Sequence, residues 1–133
     1  MKSNLNHIQI NIDYKNISFY KDLLKELGWT IIVEAENILG FESGSTGSLW
    51  FLPRTAENQN NYNSVGVNHI GIGTDSVASV DKAVYHLKNK GVSLLFDTPR
   101  HRPEFGSDQT TYYQVMFESP DKILWEIMYS GKK

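Results

Sequence analysis

A chain of 133 residues, with 13 Lys and Arg against 15 Asp and Glu and a formal net charge of -2, lacks the basic field that grips a phosphate backbone, so nucleic acid is not expected as a partner. The length suits one good core rather than two independent domains. With no cysteine in the chain, disulfides, thiolate metal sites and cysteine nucleophiles drop out, and any metal must be held by nitrogen and oxygen.

The first element is an alternating strand, Leu5 to Asp13, and its pattern returns at Val67 to Asp75 with Asn, His, Ile, Ile and Asp at matching places. After each copy comes an apolar stripe with helical spacing. Tyr20, Leu23, Leu24 and Leu27 form the first, and Val80, Ala83, Val84 and Leu87 the second. Gly28 and Gly91 stand where a left-handed cap ends each helix, and strand-like runs follow at Trp29 to Val33 and Val92 to Phe96. Each half then closes alike. Phe41-Glu42-Ser43-Gly44 before Leu49-Trp50 answers Phe117-Glu118-Ser119-Pro120 before Leu124-Trp125, a hairpin pattern in both. The chain is therefore expected to be an α+β protein of two βαβββ modules within one domain, at about 4–53 and 66–130.

Between the modules, residues of about 54–65 are rich in Asn and poor in apolar side chains, the composition of a solvated linker. The second copy is longer by a stretch around Asp97 to Thr110 that contains Pro99, Pro103 and Gly106 and is expected to be a loop, of the kind that often acts as a lid. No secretory leader pattern is present near Met1, and no apolar run has the length to cross a bilayer. A cytoplasmic, soluble protein is expected.

Strand alternation places Ile8, Ile10 and Ile12 on the helix side and His7, Gln9 and Asn11 on the other face. In the second copy that other face carries His69, Gly71 and Gly73, where two glycines leave room. The last strand puts Ile123, Trp125, Ile127 and Tyr129 on its apolar face, which aims Glu126 to the same side as the histidines. Such a carboxylate needs a cation, a proton or hydrogen bonds to offset its burial. Two histidines at equivalent places of a duplicated module, with one carboxylate in the closing strand, make the two-His-one-carboxylate set that suits Fe(II), Mn(II) or a similar ion. His7, His69 and Glu126 are the expected ligands.

With these features the chain resembles the vicinal oxygen chelate superfamily, the group of glyoxalase I, extradiol dioxygenases, fosfomycin-resistance transferases and bleomycin-binding proteins. The carrying motifs are Val67-Asn68-His69-Ile70 and Phe117 to Lys122 before Ile123-Leu124-Trp125-Glu126. The resemblance implies a cup-shaped mixed sheet around a divalent metal, Fe, Mn, Ni or Zn, on which a small oxygenated substrate is chelated. The implied reaction is that of a lyase, an isomerase or a ring-cleaving dioxygenase. A fosfomycin-type transferase and a bleomycin-resistance-like binding protein are the alternatives. The fourth ligand position of glyoxalase I falls near Trp50 or Phe51, which cannot bind metal through their side chains. Glu126, His101 and Tyr113 are expected to act in catalysis, and Gln9, Trp50, Arg100 and Tyr112 to hold substrate. Exposed strand edges point to a homodimer.

Overall fold

The computed structural model describes residues 1–44 and 46–133, and its contacts divide the chain into two units, Met1–Asn58 and Gln59–Lys133. In the first unit the order is β1 (His7–Ile12), a single 3-10 turn (Tyr14–Asn16), α1 (Ile17–Glu26), β2 (Thr30–Ala35), β3 (Ile38–Glu42) and β4 (Ser48–Pro53). The second unit runs β5 (His69–Gly73), α2 (Val77–Asn89), β6 (Leu94–His101), a 3-10 turn (Pro103–Phe105), β7 (Thr110–Glu118) and β8 (Leu124–Lys132). Each unit is thus one βαβββ module. The two sheets have four strands each, in the orders β1-β4-β3-β2 and β5-β8-β7-β6. In both, the first strand pairs in parallel with the last and the other pairings are antiparallel.

The apolar stripes read from the sequence are what bury the helices. Tyr20, Leu23 and Leu24 of α1 are buried, and the Tyr20 ring lies 4.8 Å from that of Phe51 on β4. On α2 the buried set is Val80, Ala83, Val84 and Leu87. Both helices end as expected. Gly28 and Gly91 have φ of 82° and 72°, and Trp29 N–H and Val92 N–H reach back to the carbonyls of Leu24 and Leu87 at 2.9 and 3.0 Å. Ser76 caps the start of α2, its hydroxyl accepting from Ser79 N–H at 3.1 Å. Ser76→Ala should therefore cost about 1 kcal/mol of stability, read as a lower urea midpoint with an unchanged slope.

One element departs from expectation. The stretch from Asp97 onward, expected as loop, is partly strand, because β6 continues to His101 through an irregularity between Leu95 and Arg100. Phe96 and Asp97 take left-handed backbone at φ of 57° and 55°, which displaces residues from the ladder. The buried Thr98 hydroxyl fills the gap, accepting from Met116 N–H at 2.9 Å and donating to the Leu95 carbonyl at 2.7 Å. Pairing then resumes at Arg100 and His101. The segment expected as solvated linker is also more anchored than its composition suggests, since Tyr62 is half-buried and its hydroxyl donates to Glu118 at 2.6 Å. Among the described residues no helix is long and apolar enough to cross a membrane.

Candidate metal centre

In the second unit the face of β8 opposite Trp125 and Ile127 carries Glu126, only 5% exposed. Two neighbours on β7 explain how a carboxylate is kept there. Tyr112 OH donates to Glu126 Oε1 at 2.7 Å, and the Gln114 amide, 2% exposed and assigned the orientation in which its N–H meets an acceptor and its oxygen a donor, gives the same oxygen an N–H at 2.7 Å. The amide oxygen of Gln114 accepts from Arg102 Nη1 at 3.3 Å, and Arg102 Nε donates to Glu104 at 2.6 Å. Oε1 is therefore saturated by two neutral donors. Oε2 faces His69 Nε2 at 3.1 Å.

The character of that last contact depends on where the imidazole carries its protons. His69 Nδ1 lies 2.8 Å from Asn68 Oδ1, and the Asn68 amide is oriented by its own N–H, which donates to the Tyr62 carbonyl at 2.9 Å. An amide oxygen only accepts, so Nδ1 must carry a proton. Nε2 then meets the carboxylate either with a proton of its own, as the donor of an imidazolium–carboxylate pair, or as a lone pair that could share a metal ion with Oε2.

Gly71 is the register partner of Glu126, and a Cβ built there would lie 3.7 Å from Glu126 Oε2, in ordinary contact, so that only a side chain longer than alanine's would crowd the carboxylate. Tyr112 is pushed up to about 12 by its burial first and then by the hydrogen bond to Glu126 and that carboxylate's charge. It remains a donor throughout the ordinary pH range. Because a phenol held above its unfolded value near 10 stabilises the fold below that pH and loses this contribution as pH rises through 12, alkaline unfolding should begin above about pH 10. Tyr112→Phe should flatten that decline, as monitored by circular dichroism in an alkaline titration.

In the first unit His7, Gln9 and Asn11 are exposed on one face of β1, opposite the buried Ile10 and Ile12. His7 repeats the ring arrangement of its counterpart, with Nδ1 2.8 Å from Asn6 Oδ1. Gln9 pairs in register with Trp50, and Gln9 Nε2 donates to Asn11 at 3.0 Å. The indole of Trp50 donates to Ser48 Oγ at 2.8 Å and lies over Gly40, where a Cβ would be only 2.7 Å from the ring.

Other expected site residues are placed apart. Tyr113 points to the opposite face of β7 from Tyr112, its hydroxyl donating to Asp81 of α2 at 2.8 Å, and burial followed by Asp81 pushes it up to about 12. His101 goes with Tyr113. Their rings lie 4.6 Å apart, and His101 Nδ1 meets Thr111 Oγ1 at 2.6 Å. The structure thus does not bring His101 and Tyr113 together with Glu126, because strand alternation carries odd-numbered residues of β7 to the helix side. Arg100 pairs with Gln114 in register and is exposed. Gln114 itself, the best buried polar neighbour of Glu126, was not singled out from the sequence, although it alternates with Val115 on the Tyr112 side.

Of the three expected ligands, the structure brings His69 and Glu126 together, and His7 belongs to the other unit. Among the described residues no group of three or more His, Cys, Asp or Glu gathers as a metal cluster. The pair nevertheless fits an ion. Imidazole nitrogen and carboxylate oxygen bound at about 2.1 Å in neighbouring coordination positions lie roughly 3 Å apart, and the observed separation is 3.1 Å.

A family model described as the Glyoxalase/Bleomycin resistance protein/Dioxygenase superfamily matches residues 4–127. No curated protein matches the chain in sequence. Among solved structures, a candidate glyoxalase from Bacillus halodurans is 25% identical, with a TM-score of 0.77 and 94% of each chain covered. A glyoxalase/bleomycin resistance protein from Albidiferax ferrireducens T118 is 17% identical, with a TM-score of 0.74, over 94% of this chain and 98% of that one. An integron cassette protein from the mobile metagenome of V. cholerae is 20% identical, with a TM-score of 0.64, over 97% and 96%.

Proposed function

The chain belongs to the glyoxalase/bleomycin resistance protein/dioxygenase superfamily, and from that premise we propose that it is a divalent-metal-dependent enzyme acting on a small oxygenated substrate. The observation that carries this reading is the 3.1 Å approach of His69 Nε2 to Oε2 of the buried Glu126, which sets an imidazole nitrogen and a carboxylate oxygen where one ion could take both. His69 and Glu126 are the proposed ligands. His7, with its matching Nδ1 contact to Asn6, is the proposed third. The bound ion would act as a Lewis acid on neighbouring substrate oxygens.

This chain's own residues set the stage for that chemistry. Tyr112 and Gln114 engage Oε1 and leave Oε2 as the ligand atom, while Gly71 keeps side-chain bulk away from it. Tyr112, a protonated phenol, keeps its single O–H on Glu126 Oε1 and so orients the carboxylate. Isothermal titration with Mn(II), Ni(II) and Zn(II) tests the reading. Binding of one ion per site is expected, weakened in His7→Ala and His69→Ala; equal affinity in the wild type and both variants would refute it.

Association into a homodimer is part of the proposal. The strand β2 stands at an edge of its sheet and exposes Ile32 and Val33, 40% and 37% accessible, and an edge strand is the kind of surface that recruits a second chain. Light scattering coupled to size exclusion should give twice the 15.2 kDa chain mass. A monomer at micromolar concentration would remove this element of the reading.

A further inference from the structure

The segment that leads into β5 is tied to the closing hairpin at two points and to His69 at a third. Asn60 Nδ2 donates to the Lys122 carbonyl at 2.9 Å, in the turn between β7 and β8, and Tyr62 OH donates to Glu118 at the end of β7. Around Tyr62 the backbone makes a local turn, with Asn63 N–H donating to the Asn61 side chain at 3.0 Å and Ser64 N–H to the Asn61 carbonyl at 3.1 Å. The Tyr62 carbonyl then accepts from Asn68 Nδ2, and Asn68 Oδ1 accepts from His69 Nδ1. Since Glu118 and Glu126 flank the same hairpin, hydrogen bonds run from the hairpin through the segment to the histidine, whose Nε2 then faces Glu126 on the other side of that hairpin.

We propose that residues 60–68 form a strap in which Asn68, locked by the Tyr62 carbonyl, is a positioning residue that holds the His69 ring with its proton on Nδ1 and Nε2 presented to Glu126. The inference deepens the metal-centre reading and rests on it for its functional meaning. Its physical basis is separate. An asparagine amide without the Tyr62 carbonyl could turn its N–H groups to the ring as readily as its oxygen, which would put the proton on Nε2 and its donor against the metal position. With Nδ2 committed to a carbonyl, only the oxygen is left for the imidazole. Partners of this kind fix both tautomer and orientation of a ligating histidine. The first unit carries the same Asn-His contact, Asn6 Oδ1 to His7 Nδ1. A segment that composition marks as plain linker therefore has a task in the site.

The test uses the full chain and two readouts. In metal-free protein labelled with 15N-histidine, an exchange-protected Nδ1 proton is expected for His69, identified by its loss in His69→Gln. Asn68→Ala should remove the protection, Asn68→Asp should keep it because a carboxylate oxygen still accepts, and Tyr62→Phe should speed its exchange by freeing the strap from Glu118. In parallel, the Zn(II) dissociation constant should rise roughly 10–100-fold in Asn68→Ala. A protected Nδ1 proton that survives in Asn68→Ala, or an unprotonated Nδ1 in the wild type, overturns the strap whatever the zinc result. The expected proton behaviour in a protein that binds no zinc upholds the strap and overturns the metal reading instead.

Discussion

Glu126→Gln is expected to weaken divalent-metal binding by more than about a hundredfold, since loss of a ligand atom exceeds the roughly 10–100-fold effect of losing a supporting partner. A glutamine can keep its oxygen toward Tyr112 and Gln114, but it then presents an N–H where Oε2 of the wild-type carboxylate, only 5% exposed, faces His69 Nε2 at 3.1 Å, so the ligand atom is lost. Thermal unfolding with and without Zn(II) reads the loss. The wild-type midpoint should rise with metal and the variant's should not. A variant that gains as much from zinc as the wild type would contradict the assignment of Glu126.

A second large effect is expected at Gln114. Gln114→Glu sets a carboxylate against Glu126 Oε1, where the amide now donates at 2.7 Å. Arg102 can compensate the new charge at one oxygen, because its Nη1 already lies 3.3 Å from the Gln114 side chain, but the other oxygen faces Glu126 with no donor between them. A buried charge left in that state costs about 3 kcal/mol or more. That is a large share of the roughly 5–15 kcal/mol that holds a small domain folded. Gln114→Met, of similar volume, removes the donor without adding charge and should cost about 1–3 kcal/mol. Urea denaturation checks the order: wild type, then Met, then Glu. A glutamate variant as stable as the methionine one would mean that the amide does not face Glu126.

What the sequence made legible follows from periodicity and duplication. Alternation in Leu5 to Asp13 put Ile10 and Ile12 inside and His7 outside, and the helical stripes named the residues that bury α1 and α2. The repeat of Phe-Glu-Ser before each closing strand marked both hairpins, and β3-β4 and β7-β8 pair antiparallel there. Residues whose position depends on irregular backbone were harder to read. Phe96 and Asp97 take left-handed φ without being glycine, so nothing in their identity announced that β6 resumes beyond Thr98. His101 lay in an apparent loop and Tyr113 just beyond it, so both looked free to join Glu126, yet the resumed strand pairs them with each other on the helix side.

The missed neighbours of the site carry a different lesson. Gln114 sits in Tyr112-Tyr113-Gln114-Val115-Met116, where alternation already placed it with Tyr112, but its value arises from a partner on β8 that no local pattern reveals. Asn68 was visible as an identity shared with Asn6 in the duplicated motif. Its role became readable only once the Tyr62 carbonyl fixed which end of its amide faces the ring.

The measurement that bears most directly on the metal centre is elemental mass spectrometry of tag-free protein purified without chelator, for the wild type, His69→Ala and Glu126→Ala. Near-stoichiometric Fe, Mn, Ni or Zn in the wild type, lost in both variants, is the result expected, and the metal found would separate oxygen chemistry from Lewis-acid chemistry. A wild type that takes up none of these ions even after reconstitution, or an alanine variant that retains a full complement, would contradict the centre and favour a ligand-binding role for the fold.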